Sequence, residues 1–157
     1  MVDIVFDGSI TLSQTAGVIG TTTNNDADAL SVGEYVESVI AAGSSVTLTT
    51  GEVANITSIS LTAGDWDVFG SWVTAPASGT TSSNRQGAIN TTSATLPAGQ
   101  YVSKSIATLA GTENDGFAVP MQRLSLSGTT TVYLVGFSTF AVSTMAMYGF
   151  IGARRVR

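Results

Sequence analysis

Two carboxylates flank a tryptophan in Asp65-Trp66-Asp67, and paired carboxylates are the residue set of glycoside hydrolysis. On a strand, positions 65 and 67 project to the same side roughly 7 Å apart. The spacing therefore reads as an outward polar edge beside a buried Trp66. Asn24-Asn25-Asp26-Ala27-Asp28 and Glu113-Asn114-Asp115-Gly116 have the oxygen-rich composition of calcium-loop fragments. Neither has the full loop spacing with a closing Glu, so turn chemistry accounts for both and no metal is expected. Three of the six basic residues, Arg154, Arg155 and Arg157, crowd the last four positions. They could dock on an acidic surface or hold an anion, but pairing at the chain end is the simpler expectation. Trp72, Tyr101 and Phe117 could offer ring faces to a sugar, and packing is again the simpler account. With no His, no Cys and only 11% charged residues, the chain is expected to be no enzyme and to hold no cofactor. It is expected to work by assembling.

Composition supports that expectation. A chain of 157 residues suits one domain, and small domains often gain stability by oligomerising. Ser, Thr and Gly dominate the polar residues, Thr favouring strands and Gly and Ser favouring turns; an all-β fold follows. The net charge of −5 argues against nucleic acid, which needs a basic face to neutralise phosphates. No run approaches the roughly 18 apolar residues that span a bilayer, so no membrane partner is expected. Asp3 and Asp7 stand where a secretory leader would carry Lys or Arg, and no leader is read. A positive mean hydropathy without a membrane span is best explained by apolar surface buried between subunits.

Strand patterns recur along the chain. Residues 1–31 carry strand-like Val2-Asp3-Ile4-Val5-Phe6-Asp7 and Ile10-Thr11-Leu12-Ser13, then a turn-rich stretch. This segment is either an extended arm or a first strand and loop of the same domain. From Val32 onward short strands alternate with turns, as in a sandwich or jelly roll. Trp66 and Val68 alternate with Asp65 and Asp67, the period of a half-buried strand. Residues 97–118 are the least strand-like interval and read as a long surface connection with one short strand. In Thr131–Phe137 both faces are apolar, Val132 and Leu134 on one, Tyr133, Val135 and Phe137 on the other. Met145–Ile151 shows the same pattern, which includes Met147 and Phe150. A strand apolar on both faces must be covered on both, by a loop or by another copy of the chain; the expectation is another copy.

Several of these segments, in order, resemble the jelly-roll domain of tailed-phage virion proteins: head decoration proteins, head fibres and tail-fibre tips. The matching segments are Val32-Gly33-Glu34-Tyr35-Val36, TSISLTAGDWDVFG at 57–70, TTSATLP at 91–97, Val119-Pro120-Met121-Gln122-Arg123, TTTVYLV at 129–135 and MYGFIGARRVR at 147–157. The resemblance covers residues 32–157. It implies an antiparallel jelly-roll sandwich with a short extended N-terminal arm (1–31), trimeric and similar in shape to the tumour necrosis factor-like group. It further implies a homotrimeric capsid decoration (cement) protein on the virion surface, with the major capsid protein as partner. A receptor- or glycan-binding fibre tip is the alternative, with a host glycan as ligand of the 97–116 loop. The short segment ahead of the domain, in place of a long shaft, favours the capsid. On this reading Tyr133, Val135, Phe137, Met147 and Phe150 are expected at the trimer interface, and Val2, Ile4, Phe6, Ile10 and Leu12 dock on the capsid.

Overall fold

A computed structural model describes residues 22–99 and 113–157, together with the backbone of the strand at 101–110. The strands in chain order are β1 (Tyr35–Ile40), β2 (Val46–Thr47), β3 (Val53–Leu61), β4 (Gly64–Pro76), β5 (Thr81–Asn90), β6 (Tyr101–Ala110), β7 (Asp115–Leu126), β8 (Thr130–Ala141) and β9 (Met145–Arg155). One sheet runs β1-β9-β4-β7 and the other β3-β8-β5-β6, with every pairing antiparallel. A single 3₁₀ turn at Ala42–Ser44 separates β1 from β2, and both pair with β9. Counted as one interrupted strand, they bring the total to eight. The first sheet then takes the first, eighth, third and sixth strands, and the second sheet takes the second, seventh, fourth and fifth. That winding is the jelly roll expected from the sequence.

Strict alternation along β4 makes the first sheet two-faced. Trp66, Val68, Trp72 and Thr74 are wholly buried on its inner side, while Asp67, Phe69, Ser71 and Val73 remain half-buried on its outer side. Met145, Met147, Ile151 and Ala153 of β9 join the inner face, where they meet Ile56, Ile59, Ile89, Val132 and Leu134 of the second sheet. Each buried indole removes roughly 200 Å² from water, worth about 5 kcal/mol at 25 cal/mol per Å².

The second sheet makes room for these large side chains with two glycines. Gly87 of β5 and Gly136 of β8 are directly paired in register. A methyl group on Gly87 would fall inside the Trp72 ring, and one on Gly136 inside the Met147 thioether. The paired glycines thus form a trough across the sheet that seats one side chain from each of two facing strands. Trp66 donates its indole N–H to the Thr62 carbonyl at 3.0 Å. The Trp72 Nε1, by contrast, is buried without a hydrogen-bond partner among the described residues, a cost accepted where the ring lies flat on bare backbone.

Two sequence expectations change. The interval 97–118, expected to be mostly loop, contains all of β6 and the start of β7, which frame the two sheets as edge strands. Edge strands need little apolar alternation, because one flank is unpaired and polar residues are tolerated there; that is why the pattern was weak. Within β7 the register slips by one residue opposite Phe69, where Pro120 and Met121 bulge out. Proline is at home at such an edge bulge because it has no N–H to leave unpaired. Residues 1–21, including Val2, Ile4, Phe6, Ile10 and Leu12, lie outside the described residues.

The glycine trough carries a test. Gly87→Ala lowers unfolding free energy by about 3 kcal/mol, since a rigid indole has nowhere to go. Gly136→Ala costs about 1 kcal/mol, since the Met147 side chain can change rotamer. Urea titration of both variants checks the difference, and equal losses would count against the rigid-ring account.

Candidate functional site

The outer face of the β1-β9-β4-β7 sheet is where unusual residues gather. In register across the sheet, Tyr35 lies beside Arg154, which lies beside Asp67, which lies beside Arg123. One row on, Glu37 pairs Gly152, which pairs Phe69; a further row joins Val39, Phe150 and Ser71. Tyr35 stacks near Phe69 with ring centroids 6.4 Å apart, and Phe69 meets Phe150 edge-on at 6.2 Å. Gly152 lies beneath these rings, and a side chain there would strike the Tyr35 hydroxyl and the Phe69 edge. The bulge in β7 thrusts Met121 outward, 66% exposed, and Val39 is 60% exposed. Beside Met121 lies a hollow of about 550 Å³ lined by Gly33, Tyr35, Asp67, Phe69, Met121 and Arg154. The Tyr35 hydroxyl donates to Glu37 at 2.8 Å. Burial, and then the Glu37 carboxylate, push its pKa up, so it stays a neutral phenol at physiological pH.

Charges of both signs edge this apolar face. Asp65, at the start of β4, accepts from Arg157 at 2.7 Å and lies 3.7 Å from Arg123. A hydrogen bond from Ser125, followed by the charges of Arg157 and Arg123, holds its carboxyl below the ordinary range against the opposing effect of burial. Asp65 and Asp67 do share the outer side of one strand, but Asp65 is committed to this ion cluster.

Arg155 points the other way, into the end of the sandwich. It is 5% exposed at its side chain and forms an ion pair with Glu34 at 2.8 Å. It also donates to the Ala63 carbonyl at 2.8 Å and to the Thr62 hydroxyl, with its guanidinium 4.3 Å above the Trp66 ring. Gly64, at φ +133°, turns the chain tightly here, and any side chain on it would strike that guanidinium. Glu34 in turn accepts the Leu30 N–H at 2.8 Å, while Gly33 donates to the Arg155 carbonyl at 2.9 Å. The segment leading into β1 is therefore fastened to the last strand, at the margin of the aromatic face. Burial works against the Glu34 charge, but the Arg155 hydrogen bond, the Leu30 N–H and the Arg155 charge outweigh it. Its pKa lies below the ordinary 4.5.

The residues singled out in the sequence fall in different places. Val135 and Met147 are wholly buried within one chain, so they have no surface left to bury against a second copy; Met147 belongs to the core. Tyr133 and Phe137 are half-buried on β8 in the other sheet. Phe150 alone of the five sits on the aromatic face. Tyr35, Phe69 and Met121 were missed as face residues, although the period-2 alternation of β1 and β4 carried the signal for the first two. Trp72 is a core residue packed on Phe117 at 5.1 Å, so its ring is not offered to a sugar. Tyr101 lies in β6, outside the described side chains. Asp115 of the Glu113–Gly116 turn meets the buried Arg85, which also donates to Ser82 at 3.0 Å and Thr74 at 3.2 Å. No three metal-ligating side chains converge among the described residues, and no helix among them is long and apolar enough to cross a membrane.

No family model and no curated protein matches the chain. Among solved structures it is similar to a chain in the structure of infectious bursal disease virus, Gx strain, with a TM-score of 0.45 and 11% sequence identity. That match covers 88% of this chain and 36% of the viral one, so this chain spans about a third of the viral chain's length. The jelly-roll assignment rests on the strand order itself.

Two measurements probe this arrangement. Because the Glu34 pKa is lower in the folded chain than in the unfolded one, its stabilisation is complete above pH 4.5 and is lost as pH falls through the folded value. Thermal melts from pH 7 to pH 3 should therefore show an acid-side drop that Glu34→Gln reduces, with a lower Tm at neutral pH. Met147→Ala should cost about 3 kcal/mol by urea titration, whereas Met121→Ala should change stability by less than about 0.5 kcal/mol.

Proposed function

We propose that this chain is a structural protein of a tailed-phage virion: a homotrimeric head decoration protein that binds and stabilises the capsid. The observation that carries the reading is the apolar outer face of the β1-β9-β4-β7 sheet. Exposed Val39 and Met121 and half-buried Tyr35, Phe69 and Phe150 make a continuous patch, and contiguous patches of this kind mark interaction surfaces.

Charge supports a second copy as its occupant. The chain carries a net charge of −5, so copies repel one another over most of their surface. On and around this face, Glu37, Asp65, Asp67 and Asp26, whose charge reaches the Tyr35 hydroxyl, are nearly balanced by Arg123, Arg154 and Arg157. Half of the chain's six basic residues are collected there. Like molecules can meet on a nearly neutral surface whose opposite charges complement each other. The number three and the virion setting come from the sequence resemblance to phage jelly rolls. The face provides the means of assembly, with Phe150 as the member anticipated in the sequence and Tyr35, Phe69, Val39 and Met121 added to it.

On this reading the segment 1–31, with Val2, Ile4, Phe6, Ile10 and Leu12, reaches the major capsid protein and adds strand hydrogen bonds to it. The Glu34–Arg155 pair gives that segment a fixed root at the edge of the trimer.

Light scattering on the purified full chain should give three times the 16.0 kDa of one chain. Met121→Glu should dissociate the assembly while leaving the fold intact by circular dichroism, because it places a charge on an exposed apolar member of the patch. Removing residues 1–31 should abolish co-sedimentation with empty phage heads and leave the trimeric mass unchanged. A monomeric wild-type chain would defeat the assembly reading, and a trimer that ignores empty heads would defeat the capsid reading.

A further inference from the structure

The hollow on the aromatic face is lined by two opposite charges that no ion pair among the described residues engages. Arg154 of β9 and Asp67 of β4 are cross-strand neighbours on the outer face and both line it. Yet neither has an ion-pair or hydrogen-bond partner among the described residues. Their surroundings explain why this matters. Nearby charges are already engaged, Arg123 and Arg157 with Asp65 and Glu37 with the Tyr35 hydroxyl. Among the described residues that line the hollow, Asp67 and Arg154 are the charged ones, beside Tyr35, Phe69 and Met121.

Exposed to water, two such charges cost nothing. Covered by an apolar partner, each would lose its hydration with only its cross-strand neighbour to offset the loss. A covering surface that presents a carboxylate to Arg154 and a guanidinium or ammonium to Asp67 offsets that loss. A second copy of the same face holds one of each. We infer that assembly is specified by an ion pair between subunits, Arg154 of one copy with Asp67 of the next, formed inside the aromatic hollow. The hydrophobic contact supplies most of the affinity, and the charge pair sets the register and rejects apolar partners that lack it.

Arginine suits this role because its planar fork can meet a carboxylate with two parallel hydrogen bonds while its flat face lies on an aromatic ring. Tyr35 and Phe69 place such rings within the same hollow. Gly33, which also lines the hollow, adds no side chain to fill it.

The inference rests on the reading of this face as a self-assembly surface, and a charge exchange separates the two. The full-length chain, Arg154→Glu, Asp67→Arg and the double variant carrying both changes are measured by analytical ultracentrifugation across a concentration series, with far-ultraviolet circular dichroism as the folding control. Each single variant places like charges against each other and should weaken assembly at least tenfold; the double variant should recover wild-type assembly to within a few-fold. Arg154→Gln and Asp67→Asn provide milder versions should a reversal disturb folding, and each should weaken assembly with less effect than its reversal. Single variants that assemble like the wild type overturn the ion pair while leaving the apolar face intact as an assembly surface. A folded double variant that fails to recover also overturns it. A wild-type chain that stays monomeric throughout overturns both the pair and the face.

Discussion

The jelly roll depends on the insertion of its last strand, β9, between the first and the third. Until β9 arrives, β1 and β2 have no partner and β4 is paired on one side only. Contacts of this kind join opposite ends of the chain, so their loop-closure entropy must be met before they stabilise anything. The chain compensates at the point of closure. Arg155, second-last of the basic residues, locks into Glu34, Ala63, Thr62 and the Trp66 ring at once. A buried cation is tolerable because each nitrogen of the guanidinium has a hydrogen-bond partner, and those bonds hold the terminal strand in register.

With β9 in place, the interior becomes a problem of fitting large side chains between two twisted sheets. Trp72 and Met147 project from one sheet, and the other answers with Gly87 and Gly136 paired in register. The sheet spacing near the middle of the sandwich is thus set by indole against backbone rather than by side chain against side chain. At the opposite end, Arg85 with Asp115, Ser82 and Thr74 ties β5 to β4 and β7. Two buried arginines, one at each end, bracket an apolar core.

The same strands that build this core leave a second apolar surface outside it. β4 and β9 are central in their sheet, and alternation forces every other residue outward; those residues include Phe69, Val73, Tyr148 and Phe150 beside Asp67, Ser71 and Arg154. Polar groups interrupt this face at Asp67, Ser71 and Arg154, so it is mixed rather than wholly apolar.

The sequence by itself determined the all-β class, the inner face of β4 and the two-faced character of β8 and β9, because a strand's alternation is a local property readable at period two. Phe150 was legible as an outward residue for the same reason. Tertiary structure decided the rest. Val135 and Met147 look outward-capable in isolation, but only the packing of the chain against itself shows that their surface is already used. The strands β6 and β7 were faint because edge positions relax the requirement for alternation. The juxtaposition of Gly87 with Gly136, and of Tyr35, Phe69, Phe150, Asp67 and Arg154, depends on the register between strands far apart in the chain. No local pattern encodes that register: it follows from the global winding, and the winding exists only once the last strand has closed the sheet.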